Sequence, residues 1–216
     1  MTRIKMCGMR TLDDSRAGLL AGADMLGFIF YEPVRRFIEP ALAAQIIAAC
    51  REEFNGWQAV GVFVDQPLKQ VNAVAARCGL DLVQLAGEEP PQYVAGLDVP
   101  AVKVLRAGPA GWSLPALLVA QAGYSVHSFL IDSHVDGFYG GTGLAGDWQS
   151  LAGLLNGCML AGGLNPGNVA AAVSLTRASA VDVSSGIETA GVKDPRLMQA
   201  FAQAVRTGVT PVAAGR

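Results

Sequence analysis

Residues 159–166 read Met159-Leu160-Ala161-Gly162-Gly163-Leu164-Asn165-Pro166. Three apolar residues make a short strand, two glycines break it, and the Asn-Pro step starts a helix, because proline is tolerated in a first helical turn whose N–H is unpaired in any case. This is one strand, glycine loop and helix in sequence. The next unit repeats it, with a strand over Ala180 to Val183, the turn Ser184-Ser185-Gly186, and a helix starting at Asp194-Pro195.

Reading back toward the N-terminus, the same alternation continues. Strands are expected at Phe129 to Ile131, Ala101 to Leu105, Leu82 to Leu85, Trp57 to Val64, Met25 to Phe30 and Arg3 to Met6. Helices are expected around Leu114 to Gln121, from Pro90-Pro91, from Asp65-Gln66-Pro67 to Arg77, and from Glu39-Pro40 to Arg51. The first runs from Thr11 to Leu20 and opens on Thr-Leu-Asp-Asp, an N-cap followed by acids in the first turn. Strands alternating with helices imply right-handed parallel crossovers. Eight repeats in about 200 residues favour a closed α/β barrel, the (β/α)8 TIM barrel, over an open doubly wound sheet.

The chain has 216 residues, 51% of them hydrophobic and 16% charged. That suits one domain whose parallel sheet is covered on both faces. The barrel is expected over residues 1–208, with 209–216 a C-terminal tail. A net charge of −2 offers no basic field for a nucleic acid or an anionic membrane surface. No apolar run approaches the ~18 residues of a membrane span, and the opening MTRIKMCG runs into a strand rather than a signal sequence. A cytoplasmic protein is expected. Cys7, Cys50, Cys78 and Cys158 are scattered without a C-x-x-C pair, so neither zinc nor a disulfide framework is suggested; the last three read as small core residues.

In such a barrel, chemistry belongs at the C-terminal ends of the strands. Polar or reactive residues stand there repeatedly: Cys7, Arg35 and Arg36, Asp65, Gln84, Asp132, Gly162-Gly163 and Ser184-Ser185-Gly186. Together with Gly140-Gly141-Thr142-Gly143, the last two clusters give three glycine-bearing loops whose backbone N–H groups suit a phosphate. Cys7 and Asp132 are candidates for proton transfer, on strands expected to face each other across the ring. For that role the thiol must ionise more easily than its free value of ~8.5 allows, with Lys5 and the arginines as sources of positive charge, and the carboxyl must hold its proton above ~4. Arg36 suits a carboxylate or a phosphate through its planar fork. His127 reads as structural and His134 as a loop residue, and neither suggests a metal site. The long glycine-rich connection Asp132 to Gly146 reads as a functional loop.

Seven separated motifs then point to a family. They are Lys5-Met6-Cys7-Gly8-Met9-Arg10, Gly27-Phe28-Ile29-Phe30, Gly61-Val62-Phe63-Val64, Val83-Gln84-Leu85, Gly140-Gly141-Thr142-Gly143 with Asp147-Trp148, Leu160 to Pro166 with Asn168-Val169, and Val181 to Glu188 with Gly191 and Lys193-Asp194. In order, from residue 3 to about 205, they resemble phosphoribosylanthranilate isomerase. The resemblance implies a cofactor-free and metal-free Amadori rearrangement of a small phosphoribosyl substrate in tryptophan biosynthesis, by a monomer or homodimer. It implies Cys7 as general base, Asp132 as general acid and Arg36 on the anthranilate carboxylate. It places Gly141, Gly143, Gly162, Gly163, Ser185 and Gly186 around the phosphate, with Gln84, Thr142, Asp182 and Ser184 also at the substrate.

Three departures accompany it. Val34-Arg35-Arg36 stands for the family's Ser-Pro-Arg, Ala86 for a histidine, and Ala145-Gly146 for a Thr-Phe type of pair before Asp147-Trp148. The histidine-pathway isomerase of similar fold would use a carboxylate at position 7 and a second phosphate site, and this sequence offers neither. A phosphosugar-binding paralogue with altered substrate or no catalysis is the alternative from another class.

Overall fold

A computed structural model of the chain describes residues 1–106, 113–133 and 148–208. The expected 209–216 tail, the 140–143 glycine loop, His134 and the Ala145-Gly146 departure lie outside these residues. Eight strands close into a parallel barrel in chain order. They are β1 (Arg3–Cys7), β2 (Met25–Ile29), β3 (Gln58–Phe63), β4 (Leu82–Leu85), β5 (Ala101–Arg106), β6 (Ser128–Asp132), β7 (Met159–Ala161) and β8 (Ala180–Val183). The ring closes where β8 pairs with β1, with Lys5 opposite Asp182. The barrel read from the alternation is therefore the one observed.

Strand parity sorts the side chains. Met25, Val60, Leu82, Val102, Leu130, Met159 and Ala180 fill the barrel interior, while Ile4, Met6, Leu26, Phe28, Val181 and Val183 turn outward against the helices. Those helices are α1 (Leu12–Leu20), α2 (Pro40–Glu53), α3 (Leu68–Cys78), α4 (Pro91–Val94), α5 (Leu114–Gln121), α6 (Val169–Thr176) and α7 (Pro195–Thr207). The Thr11 hydroxyl caps α1 by accepting from the Asp14 N–H at 3.0 Å, and the Asp194 carboxylate caps α7 by accepting from the Arg196 N–H at 2.9 Å. Cys50, Cys78 and Cys158 are free and buried, as expected of small core residues.

Two helices start later than the sequence suggests, each for a local reason. Asp65 sits at φ 53, in the left-handed region, which cannot open a right-handed helix, so α3 begins at Leu68. Asn165 Oδ1 accepts from the Gly167 N–H at 2.8 Å and Asn168 Oδ1 from the Asn165 N–H at 2.8 Å. These side-chain bonds make a turn of residues 165–168 and delay α6 to Val169. Between β6 and β7, residues 148–154 form turns. β5 and β6 each run one residue beyond the expected end, which brings Arg106 and Asp132 into register as Cα partners.

Candidate active site

A cavity of about 580 Å³ opens at the C-terminal end of the barrel. Cys7 reaches it from β1, Arg36 from the loop after β2, Gln84 from β4 and Asp132 from β6. The wall between Asp132 and Cys7 is built by Gly162 and Gly163 after β7 and by Asp182, Ser184 and Ser185 at the end of β8. Gly186 stands behind that wall, so close to the Leu164 carbonyl that a Cβ there would lie 1.8 Å from its oxygen. Gly141, Thr142 and Gly143 lie outside the described residues. β1 and β6 are not opposite one another, as expected from sequence, but separated by β8 and β7. Cys7 and Asp132 nevertheless line the same cavity.

Alternation along β1 puts Lys5 and Cys7 on the same inward face, so the buried lysine lies directly below the thiol. Lys5 Nζ donates to Asp182 Oδ1 at 2.9 Å across the closing seam. Burial opposes the charge on Lys5, but Asp182 and then Cys7 outweigh it and hold the ammonium pKa above its ordinary value. For Cys7 the balance goes the other way. Burial pushes the thiol up, Lys5 and Lys193 pull it down, and Asp182 adds to the rise. The expected lowering of the thiol is thus corrected: a buried sulfur loses more from desolvation than the two ammonium groups return.

Gly27 makes room for this sulfur, since a Cβ there would lie 2.6 Å from Cys7 Sγ. Gly8, at φ +82, does the same for Arg36, whose Cδ would be 2.7 Å from an added Cβ. The guanidinium of Arg36 is fixed from behind by Glu188, in a small antiparallel hairpin of β9 (Glu188–Thr189) and β10 (Val192–Lys193). Arg36 Nε donates to Glu188 Oε1 at 2.7 Å and Nη2 to Oε2 at 2.9 Å.

Lys193 Nζ donates to the same carboxylate at 2.9 Å and to the Ser184 carbonyl at 2.9 Å. Burial disfavours the Glu188 charge, yet the bonds from Arg36 and Lys193 hold this carboxyl at about 2. Arg35, half of the Val34-Arg35 departure, also belongs to this cluster, its Nη2 donating to Glu188 Oε2 at 2.5 Å. It ties the loop after β2 to the hairpin and does not line the cavity.

On the other side, Ser133 follows Asp132 and locks the end of β6. Its hydroxyl donates to the Ala161 carbonyl at 2.8 Å and accepts from Trp148 Nε1 at 3.1 Å. Asp65, read as a mouth residue, instead accepts from the Glu88 N–H at 2.7 Å and joins two loops. Gln84 is 6% exposed, and its Oε1 has no hydrogen-bond partner among the described residues. His127 is exposed at the opposite end of the barrel, beside a smaller cavity of about 150 Å³. Among the described residues, no cluster of His, Cys, Asp and Glu could hold a metal ion, and no helix is long and apolar enough to cross a membrane.

Sequence reasoning assigned no role to Glu188, Lys193 or Arg106. Arg106 also lines the cavity, and one signal could have found it. It shares parity with Val102 and Val104, which face the barrel interior, so a β5 longer by one residue would point it inward.

Comparisons with known proteins agree on one family. Residues 4–204 match N-(5'-phosphoribosyl)anthranilate (PRA) isomerase. The chain is 42% identical over 209 residues to the N-(5'-phosphoribosyl)anthranilate isomerase of Moorella thermoacetica, covering 95% of this chain and 90% of that one. Among solved structures, phosphoribosyl anthranilate isomerase from Thermotoga maritima superposes with a TM-score of 0.82 at 31% identity, over 95% of this chain and 99% of the other. A phosphoribosyl anthranilate isomerase in complex with reduced 1-(o-carboxyphenylamino)-1-deoxyribulose 5-phosphate gives 0.79 at 29% identity, with coverage of 95% and 99%.

Proposed function

The chain belongs to the N-(5'-phosphoribosyl)anthranilate isomerase family, and on that premise we propose that it converts N-(5-phosphoribosyl)anthranilate into 1-(2-carboxyphenylamino)-1-deoxyribulose 5-phosphate. Cys7 is the general base and Asp132 the general acid. The carrying observation is that these two groups, Arg36 and the glycine loop after β7 share one cavity at the strand ends.

Asp132 gives its proton to the furanose ring oxygen, the C1′–O bond breaks, and the nitrogen lone pair forms a Schiff base. Cys7 thiolate then takes the C2′ proton, the electron pair moves toward the iminium nitrogen, and the resulting enolamine tautomerises to the ketone. No electrons leave the substrate, because C1′ is reduced as C2′ is oxidised. The buried thiol ionises less readily than a free one but is a stronger base once ionised, and Lys5 and Lys193 offset part of the cost. Arg36 keeps its Nη1 side for the anthranilate carboxylate while Glu188 occupies the Nε–Nη2 edge. Gly162 and Gly163 sit at φ 102 and φ 64, a pair of left-handed steps that glycine adopts without strain, which lets backbone approach a phosphate closely. By resemblance we assign Gly141, Gly143, Ser185 and Gly186 to the same phosphate, and Thr142, Ser184, Asp182 and Gln84 to the rest of the substrate.

The test is turnover of phosphoribosylanthranilate by the purified protein, followed as loss of its fluorescence, at a rate on the order of 1 to 10³ per second. Restoration of growth to a tryptophan auxotroph lacking this step is the matching outcome in cells. Binding of a phosphosugar without turnover would favour the non-catalytic paralogue, for which the Val34 and Ala86 departures speak.

A further inference from the structure

The cavity has a second arginine. Arg106 is the last residue of β5 and the Cα partner of Asp132 on β6. Paired residues of parallel neighbours point to the same side of the sheet, and Arg106 and Asp132 both reach the cavity. Arg106 Nη1 donates to the Ala86 carbonyl at 2.8 Å, anchoring the guanidinium across the end of β4.

The two arginines differ in how their charge is met. Arg36 shares the buried Glu188 carboxylate with Lys193. Among the described residues Arg106 makes no ion pair, and its hydrogen bond there is to a neutral carbonyl. A guanidinium has five N–H donors and that bond engages one nitrogen, which leaves this arginine donors to offer a ligand.

A second group on the same wall points the same way. Gln84 Oε1, buried and without a partner among the described residues, lines the cavity one strand away. A buried acceptor left unpaired is unfavourable until something donates to it. This wall therefore presents a cation and an acceptor together, a match for a carboxylate next to an N–H. Ala86, which stands where the resemblance expects a histidine, offers a methyl side chain with no polar group, so its part here is the backbone carbonyl that holds Arg106.

We propose that Arg106 is a specificity-determining residue for the aromatic half of the substrate, binding its carboxylate from the β5 side while Gln84 Oε1 accepts from the adjacent anilino N–H. The assignment rests on the functional reading above. It makes recognition of the carboxylate a task for two arginines on different sides of the mouth.

The experiment uses two stable probes, the reduced product analogues carrying a 2-carboxyphenylamino or a plain phenylamino group on the same pentitol 5-phosphate. Their Kd values are measured by calorimetry for the wild type, Arg106→Ala and Arg106→Gln. The wild type is expected to prefer the carboxylated probe, and both variants to lose about tenfold or more of that preference, as expected for a hydrogen bond to a charged group. The Kd of the phenylamino probe should change less than about threefold, which a general structural defect would not allow. An unchanged preference in both variants overturns the Arg106 assignment alone. Failure of the wild type to bind either probe overturns the functional reading itself.

Discussion

Glu188 and Arg36 face each other edge to edge, with Nε to Oε1 at 2.7 Å and Nη2 to Oε2 at 2.9 Å, from parts of the chain 152 residues apart. The carboxylate thereby fixes the plane in which the guanidinium meets the cavity. Glu188→Ala should free that plane and raise KM for phosphoribosylanthranilate by about 10- to 100-fold, with kcat changing several-fold at most, because bidentate geometry is lost while the chemical groups remain. Steady-state kinetics check it; a fall in kcat at constant KM would contradict the arrangement.

The same carboxylate makes stability depend on pH. Its folded pKa of about 2 lies below the ordinary 4.5, so its contribution is complete above about pH 4.5 and is lost as pH falls toward 2. A shift of that size corresponds to about 3 kcal/mol. Urea unfolding should therefore show Glu188→Gln less stable than the wild type by up to that amount at pH 7, with the gap shrinking by pH 3. A gap independent of pH would rule out the ion-pair origin.

Lys5 should set the ionisation of Cys7. It pulls the thiol pKa down, against burial and Asp182, alongside Lys193, and Arg36 is a further cation on that side. Lys5→Met removes one cation and leaves Asp182 buried without its partner. The rising limb of kcat/KM against pH should move to higher pH, and stability should drop by about 3–5 kcal/mol. Lys5→Arg, which keeps the charge, should move the limb less.

Gly27→Ala tests how tightly the thiol is held. The added methyl would sit 2.6 Å from Cys7 Sγ and 3.1 Å from its Cα, so the Cys7 side chain must shift. We expect kcat to fall by about 10²-fold, since misplacement by an ångström is enough for such a loss, while circular dichroism keeps the barrel signature. Wild-type kcat in this variant would mean that the thiol position is not critical.

Cys7→Ser and Asp132→Asn should each lower kcat by about 10²- to 10⁴-fold with modest changes in KM, the range for loss of a positioned acid or base. Stopped-flow or steady-state fluorescence decides this, and near-normal turnover by Cys7→Ser would remove the base assignment.

Much of the fold was legible because each strand and helix carries a local signature. The β-branched runs, the Asn-Pro and Asp-Pro starts and the glycine breaks repeat on a short period, and the barrel is the closed solution for eight such units. The misread helix starts were local, since Asp65 in the left-handed region and the Asn165 side-chain turn shifted two of them by a few residues. The placing of β1 and β6 across the ring from one another was instead an error of closure. Much of the cavity lining was legible too, since the ends of strands are marked in the sequence. Arg106 escaped because its role depends on whether β5 ends one residue earlier or later.

What the sequence by itself determined was the order of elements and the residue types standing at their ends, because these follow from near-neighbour sterics and periodicity. Only the tertiary structure decided which charges meet: that Lys5 finds Asp182, that Glu188 takes Arg36, Arg35 and Lys193 together, and that burial outweighs the lysines at Cys7. Pair energies of this kind depend on distance and on exclusion of water, and a string of residues records neither until the ring has closed.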